Sequence, residues 1–203
     1  MEHNTTIEHR DDFGDKLGMW IFIFTELILF AGLFLVYAVY RAKYSEDFHI
    51  ASHQLNVFLG AFNTLILLVS SMTMAMSITA VQKSNNKLAL RLILITLFLA
   101  ILFLVNKYFE WGGKISHQLY PGSDIVMGLK NGQALYFGLY YLMTGLHAVH
   151  IVVGVVIIAI IAAKVKSGAI NSTDYVLLEN GGLYWHLVDL IWIFLFPLLY
   201  LIA

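Results

Sequence analysis

Five long apolar stretches leave this chain few folds to choose from. They cover residues 17–40, 55–81, 88–109, 134–163 and 183–203. Each reaches or exceeds the ~20 residues that an α-helix needs to cross a bilayer. Lipid offers no partner to backbone N–H and C=O groups, so each stretch has to bond within itself as a helix. The expected fold is therefore all-α: an integral membrane bundle of five transmembrane helices, forming a single domain over 1–203 with a polar segment at 1–16. Composition agrees. Sixty per cent of the 203 residues are hydrophobic and 12% are charged, about half the charge of a soluble domain. There are two prolines and no cysteines, which suits uninterrupted helices and excludes disulfides, thiolate metal ligands and catalytic thiols. The net charge of −1, with no basic run, gives no sign of nucleic-acid binding.

The first sixteen residues are polar and do not resemble a cleaved signal peptide, so the first apolar stretch is read as a retained helix. The third contains Arg91 and Lys107 near its two ends, where both are expected to snorkel to the interfaces. The segments between spans (41–54, 82–87, 110–133 and 164–182) are polar and rich in turn formers. Lys and Arg set the orientation. With the N-terminus inside, Arg10, Lys16, Lys83, Lys87, Arg91, Lys164 and Lys166 lie inside, and Arg41, Lys43, Lys107, Lys114 and Lys130 lie outside. Trp20, Trp111 and Trp185 fall near span ends, as an aromatic belt requires.

Two stripes recur at helical spacing. On the fourth span they are Tyr136, Tyr140, Met143, His147, His150 and Gly154; on the second, Asn56, Gly60, Asn63, Leu67, Ser70, Met74 and Ser77. Such faces read first as helix–helix seams, where small and hydroxylic residues permit close approach. Glu26 lies near the middle of the first span. An isolated charge there costs at least ~2.5–3.5 kcal/mol, so Glu26 is protonated or paired inside the bundle. His147 and His150 are three apart, as are His186 and Asp189, and each pair shares a helix face. Glu26 is expected to bond to a histidine of the fourth span, and His186 and Asp189 to neighbouring helices. A carboxylate-bridged metal site draws Glu from two helices and a Glu-x-x-His pair from two others. That pattern is missing, so no metal or haem is expected in this chain. A free-standing metal enzyme or transporter is the contrasting reading; the chain shows neither the paired broken helices nor the second half of a transporter.

Four segments, in order, resemble subunit III of haem-copper respiratory oxidases in its short five-helix form. The first span carries Glu26 followed by the apolar-aromatic run that ends at Phe30. The third ends with Tyr108, Phe109, Glu110 and Trp111, similar to the family's Tyr-aromatic-Glu ending. In the fourth, Thr144, Gly145, His147 and His150 match Thr-Gly-x-His-x-x-His. In the fifth, Trp185, His186, Asp189 and Trp192 match Trp-His-Phe-x-Asp-x-x-Trp, with Leu187 in place of Phe. The resemblance covers nearly the whole chain. It implies a non-redox subunit of a proton-translocating oxidase, with haem and copper in partner subunits and none here. It implies direct packing against subunit I, subunit II in the same complex, and contact with membrane phospholipids. The subunit would stabilise its catalytic partner and support proton uptake. Glu26, Glu110, His147, His150, His186 and Asp189 are expected to form a buried polar network, with none of them catalytic. Many members have two further helices at the front, which wall a lipid-holding cleft; counterparts of those two are not expected here. No organelle-targeting segment follows Met1, so a bacterial cytoplasmic membrane is expected. A quinol oxidase subunit or a nitric oxide reductase accessory protein remains the alternative within the same fold.

Overall fold

The computed structural model describes residues 12–201. The order is α1 (Asp12–Lys43), α2 (Ser45–Ser52), α3 (Val57–Gln82), α4 (Asn86–Ser116), α5 (Asp124–Gly128), α6 (Asn131–Lys166) and α7 (Val176–Phe196), followed by a π-helical turn, Pro197–Leu201. Five of these are long and apolar enough to cross a membrane: α1, α3, α4, α6, and α7 continued through the π turn. The protein is a multi-pass helical bundle, as its hydropathy requires. Residues 1–11, which include Arg10 and most of the polar leading segment, lie outside the described residues, as do 202 and 203.

Local chemistry sets the helix starts. Asn56 and Asn85 cap α3 and α4, each accepting from a backbone N–H three residues on, Leu59 and Leu88, at 3.1 Å. Ser123 does the same for α5 through Val126. The tight link between α3 and α4 turns on Ser84, at φ 57°.

α7 is the axis of the bundle. In its most apolar stretch 56% of the residues are buried, against 11% in α1. It packs on α1, α3 and α6, while α4 closes the ring between α3 and α6. Trp185 and Trp192 are wholly buried along it. Gly154 of α6 lets Trp185 lie directly on the helix backbone: a Cβ there would stand 2.8 Å from the indole ring.

Three differences from the sequence reading have physical causes. First, α4 runs seven residues past the expected end, to Ser116, and Lys107 does not snorkel. It turns inward and is buried with Glu110. Opposite charges three apart on one helix neutralise each other, so the helix keeps its place inside the bundle. Second, two of the expected loops contain short helices. In α2, Phe48, Ala51 and Ser52 are buried while Glu46, His49 and Ile50 face out. Phe48 is wedged edge-on between Tyr37 and Tyr136. Third, Pro197 removes a backbone donor and α7 widens into the π turn. Two carbonyls within that turn accept tyrosine hydroxyls: Tyr37 donates to Leu198 O at 2.7 Å, and Tyr136 to Leu199 O at 2.6 Å. Non-regular backbone inside a bilayer persists only when it is satisfied in this way.

Candidate functional site

The polar groups inside the bundle stand in three places. α1 and α6 build the first. Glu26 Oε2 lies 3.0 Å from His150 Nε2, and their side chains are 18% and 13% exposed. His150 Nδ1 lies 2.8 Å from its own helix carbonyl at Leu146. A carbonyl only accepts, so Nδ1 carries a proton. The Glu26 contact is then either a carboxylic acid donating to Nε2 or an imidazolium paired with a carboxylate. Both forms hold the same number of protons, and both are neutral overall. That is how a mid-span glutamate is tolerated. Tyr184 OH donates to His150 O at 3.0 Å and Phe30 stands edge-on to the ring, which fixes the imidazole.

The second place is on α7 against α3. Ser71 Oγ and His186 Nδ1 are 2.6 Å apart. Asp189, one turn further, is buried, and neither of its carboxyl oxygens has a hydrogen-bond partner. Ser71 of α3 is the neighbouring-helix group beside that carboxyl. Nearby hydroxyls are already engaged: Ser71 with His186, and Ser70 with the indole N–H of Trp185 at 3.1 Å. His147 is fully buried, and both its ring nitrogens also lack partners. It is held by rings instead, tilted on Trp192 at 5.2 Å and edge-on to Phe103 at 5.7 Å.

The third place gathers α4, α6 and the π turn. Lys107 Nζ donates to Glu110 Oε2 at 2.9 Å, to Tyr200 OH at 3.1 Å and to Tyr140 OH at 3.3 Å. Both tyrosines donate to Glu110 Oε1 at 2.7 Å. The Lys107 and Glu110 side chains are 2% and 4% exposed. The ammonium also sits 5.1 Å from the Trp192 ring centre, an attractive cation–π arrangement. Every charged atom has a partner, as a buried pair requires. The sequence reading included Glu110 but missed Lys107, Tyr140 and Tyr200 as its partners. The usable signal was Lys-x-x-Glu inside a long apolar run, with Tyr140 on the stripe of the facing helix.

Among the described residues no group of three or more His, Asp or Glu side chains is placed to hold a metal ion. The interior groups are suited to carrying protons and joining helices. The described contacts make them separate clusters rather than one continuous network.

A family model described as cytochrome c oxidase subunit III matches residues 2–203. The chain is 31% identical to a protein of Aeropyrum pernix named heme-copper oxidase subunit I+III, over 97% of this chain but 24% of that longer protein. It is 29% identical to the cytochrome bo(3) ubiquinol oxidase subunit 3 of Buchnera aphidicola, covering 91% of this chain and 92% of the relative. With the cytochrome c oxidase subunit 3 of Thermostichus vulcanus the identity is again 29%, over 97% and 92%.

Proposed function

Since the chain belongs to the cytochrome c oxidase subunit III family, the non-catalytic third subunit of haem-copper oxidases, we propose that it packs directly on subunit I, keeps that subunit active during turnover and supports its proton uptake. The observation that carries this reading is a family match running through all five spans. The Aeropyrum relative supports the packing, because its name joins subunits I and III in one chain. Relatives named for ubiquinol and for cytochrome c are equally similar, at 29%, so the reading is of the oxidase class rather than of a donor. Haem and copper are assigned to partner subunits, with subunit II in the same complex and phospholipids around it. A bacterial cytoplasmic membrane is the preferred setting.

Removing the subunit is expected to leave the partner's haem and copper in place. The complex should start at a near-normal rate and then inactivate during turnover, faster at higher pH where protons are scarcer. Oxygen consumption followed over time at two pH values checks this. Immediate loss of all activity with intact metal centres would place the subunit in the chemistry itself; an unchanged rate and lifetime would reduce it to packing. Glu26→Gln in the same assay is expected to be milder than removal, because the amide keeps the shape and some hydrogen bonding. Glu26→Leu is expected to be worse for assembly. It strands His150 at a cost of about 1–3 kcal/mol.

We place the N-terminus inside, on the Lys and Arg distribution. The chain contains no cysteine, so single cysteines report sidedness cleanly. An impermeant maleimide on intact cells should label Ser45→Cys and spare Ser167→Cys. The reverse pattern would invert the bundle.

A further inference from the structure

The short helix α2 carries a feature that the subunit's role does not use. His49 and His53 are one turn apart on its outward side, and both are exposed. Their Nε2 atoms face each other at 3.2 Å, with the rings 4.6 Å apart at 79°. The opposite side of the helix is fixed. Phe48 and Ala51 are fully buried, and Phe48 is held between Tyr37 and Tyr136. The two imidazoles therefore stand on a rigid mount, as a preorganised site requires.

We propose that His49 and His53 form a binding site for a borderline divalent transition ion, with Zn²⁺ as its representative, at the polar end of the bundle that also carries Lys43 and Lys130. The geometry is the reason. Zinc–nitrogen bonds of about 2.0–2.1 Å to two nitrogens 3.2 Å apart subtend roughly 100–106° at the ion, close to tetrahedral. In the metal-free pair, one Nε2–H donates to the other Nε2. In the neutral pair the donating ring carries its one proton on Nε2 and the accepting ring on Nδ1. As the ion takes both Nε2 atoms, the donor's proton passes through solvent to its own Nδ1, so both rings stay neutral and no net proton is released. Two facing imidazole nitrogens are borderline donors that suit Zn²⁺ or Cu²⁺ and offer little to Mg²⁺, which prefers oxygen.

The site is two-pointed. Among the described residues no third His, Asp or Glu completes a cluster. The remaining positions go to water or to a group brought from outside the chain. A structural zinc site is closed by four protein ligands; this one is open, so its ion exchanges. Glu46, on the same exposed side one turn before His49, adds negative charge that favours a cation without being a ligand in this arrangement.

The test uses the full chain in lipid nanodiscs, titrated calorimetrically with ZnCl₂ and, separately, with MgCl₂. Zinc is expected to bind and magnesium not to. His49→Gln and His53→Gln should each weaken zinc binding by roughly tenfold or more, the scale at which removal of a supporting group already acts at metal sites. Both rings are exposed, so neither change disturbs the seating of Phe48. His3, His9 and His117 are retained in both variants, so any zinc they bind appears as a constant background. The proposal is overturned if the parent binds no zinc, if magnesium binds as well as zinc, or if both variants titrate like the parent.

Discussion

Replacing Lys107 with methionine is expected to destabilise the chain by roughly 3–5 kcal/mol, the cost of leaving one member of a buried ion pair without the other. The abandoned group is Glu110. Its Oε2 loses its only described hydrogen bond, while Oε1 keeps the two tyrosine hydroxyls. Water cannot readily take the place of the ammonium, because both side chains are almost fully covered. The double change Lys107→Met with Glu110→Gln should recover most of the loss. The amide oxygen still accepts from Tyr140 and Tyr200, and no net charge remains. Unfolding by SDS in mixed micelles, read by helicity and tryptophan fluorescence, measures both. The reading fails if Lys107→Met falls within about 0.5 kcal/mol of the parent, the range of ordinary surface changes, or if the double variant is as weak as the single one.

The second large effect is steric. Gly154→Leu is expected to cost about 3 kcal/mol, the upper end for overpacking a well-filled interior. Even the first added carbon meets the Trp185 ring at 2.8 and 2.9 Å and the Tyr184 ring at 3.2 Å. Trp185 has no room to yield. It is wholly buried and its N–H is tied to Ser70. Displacement would also reach His150, whose carbonyl accepts the Tyr184 hydroxyl. Gly138→Leu on the same helix is the control, since nothing lies within 4 Å of an added Cβ there. Equal destabilisation at the two glycines would mean that the added bulk on this helix in general, not the Trp185 contact, is responsible.

The spans and their seams were readable because hydropathy and spacing are properties of the chain itself. Tyr136, Tyr140, Met143, His147 and Gly154 are buried on α6 as their spacing implies, and so are Gly60, Asn63, Leu67, Ser70, Met74 and Ser77 on α3. Asn56, counted in that stripe, caps the helix instead. Rotational choices were harder to read. A lysine near a span end has two solutions, outward to the interface or inward to a carboxylate. Choosing between them for Lys107 required knowing that Tyr200 returns from the far end of the chain to the same spot. Asp189 and His147 show the converse. Both are buried, and His147 is packed between the Trp192 and Phe103 rings rather than against a polar group. α2 was missed because a helix of eight residues has too little periodicity to rise above loop composition.

The attachments of α1 carry a consequence for how the protein is made. Tyr37 bonds to Leu198, Glu26 to His150 and Lys16 to Glu179, so the three ties reach 161, 124 and 163 residues along the chain. α1 leaves the ribosome before α6 and α7, yet the surfaces that receive it belong to those two later helices. It can persist alone in the bilayer, since a transmembrane helix satisfies its own backbone. Glu26 cannot be neutralised by its histidine until α6 has entered, and it meanwhile bears an insertion penalty of at least ~2.5–3.5 kcal/mol if charged. Of the five spans, α1 precedes the others in synthesis yet is seated only once α6 and α7 have entered.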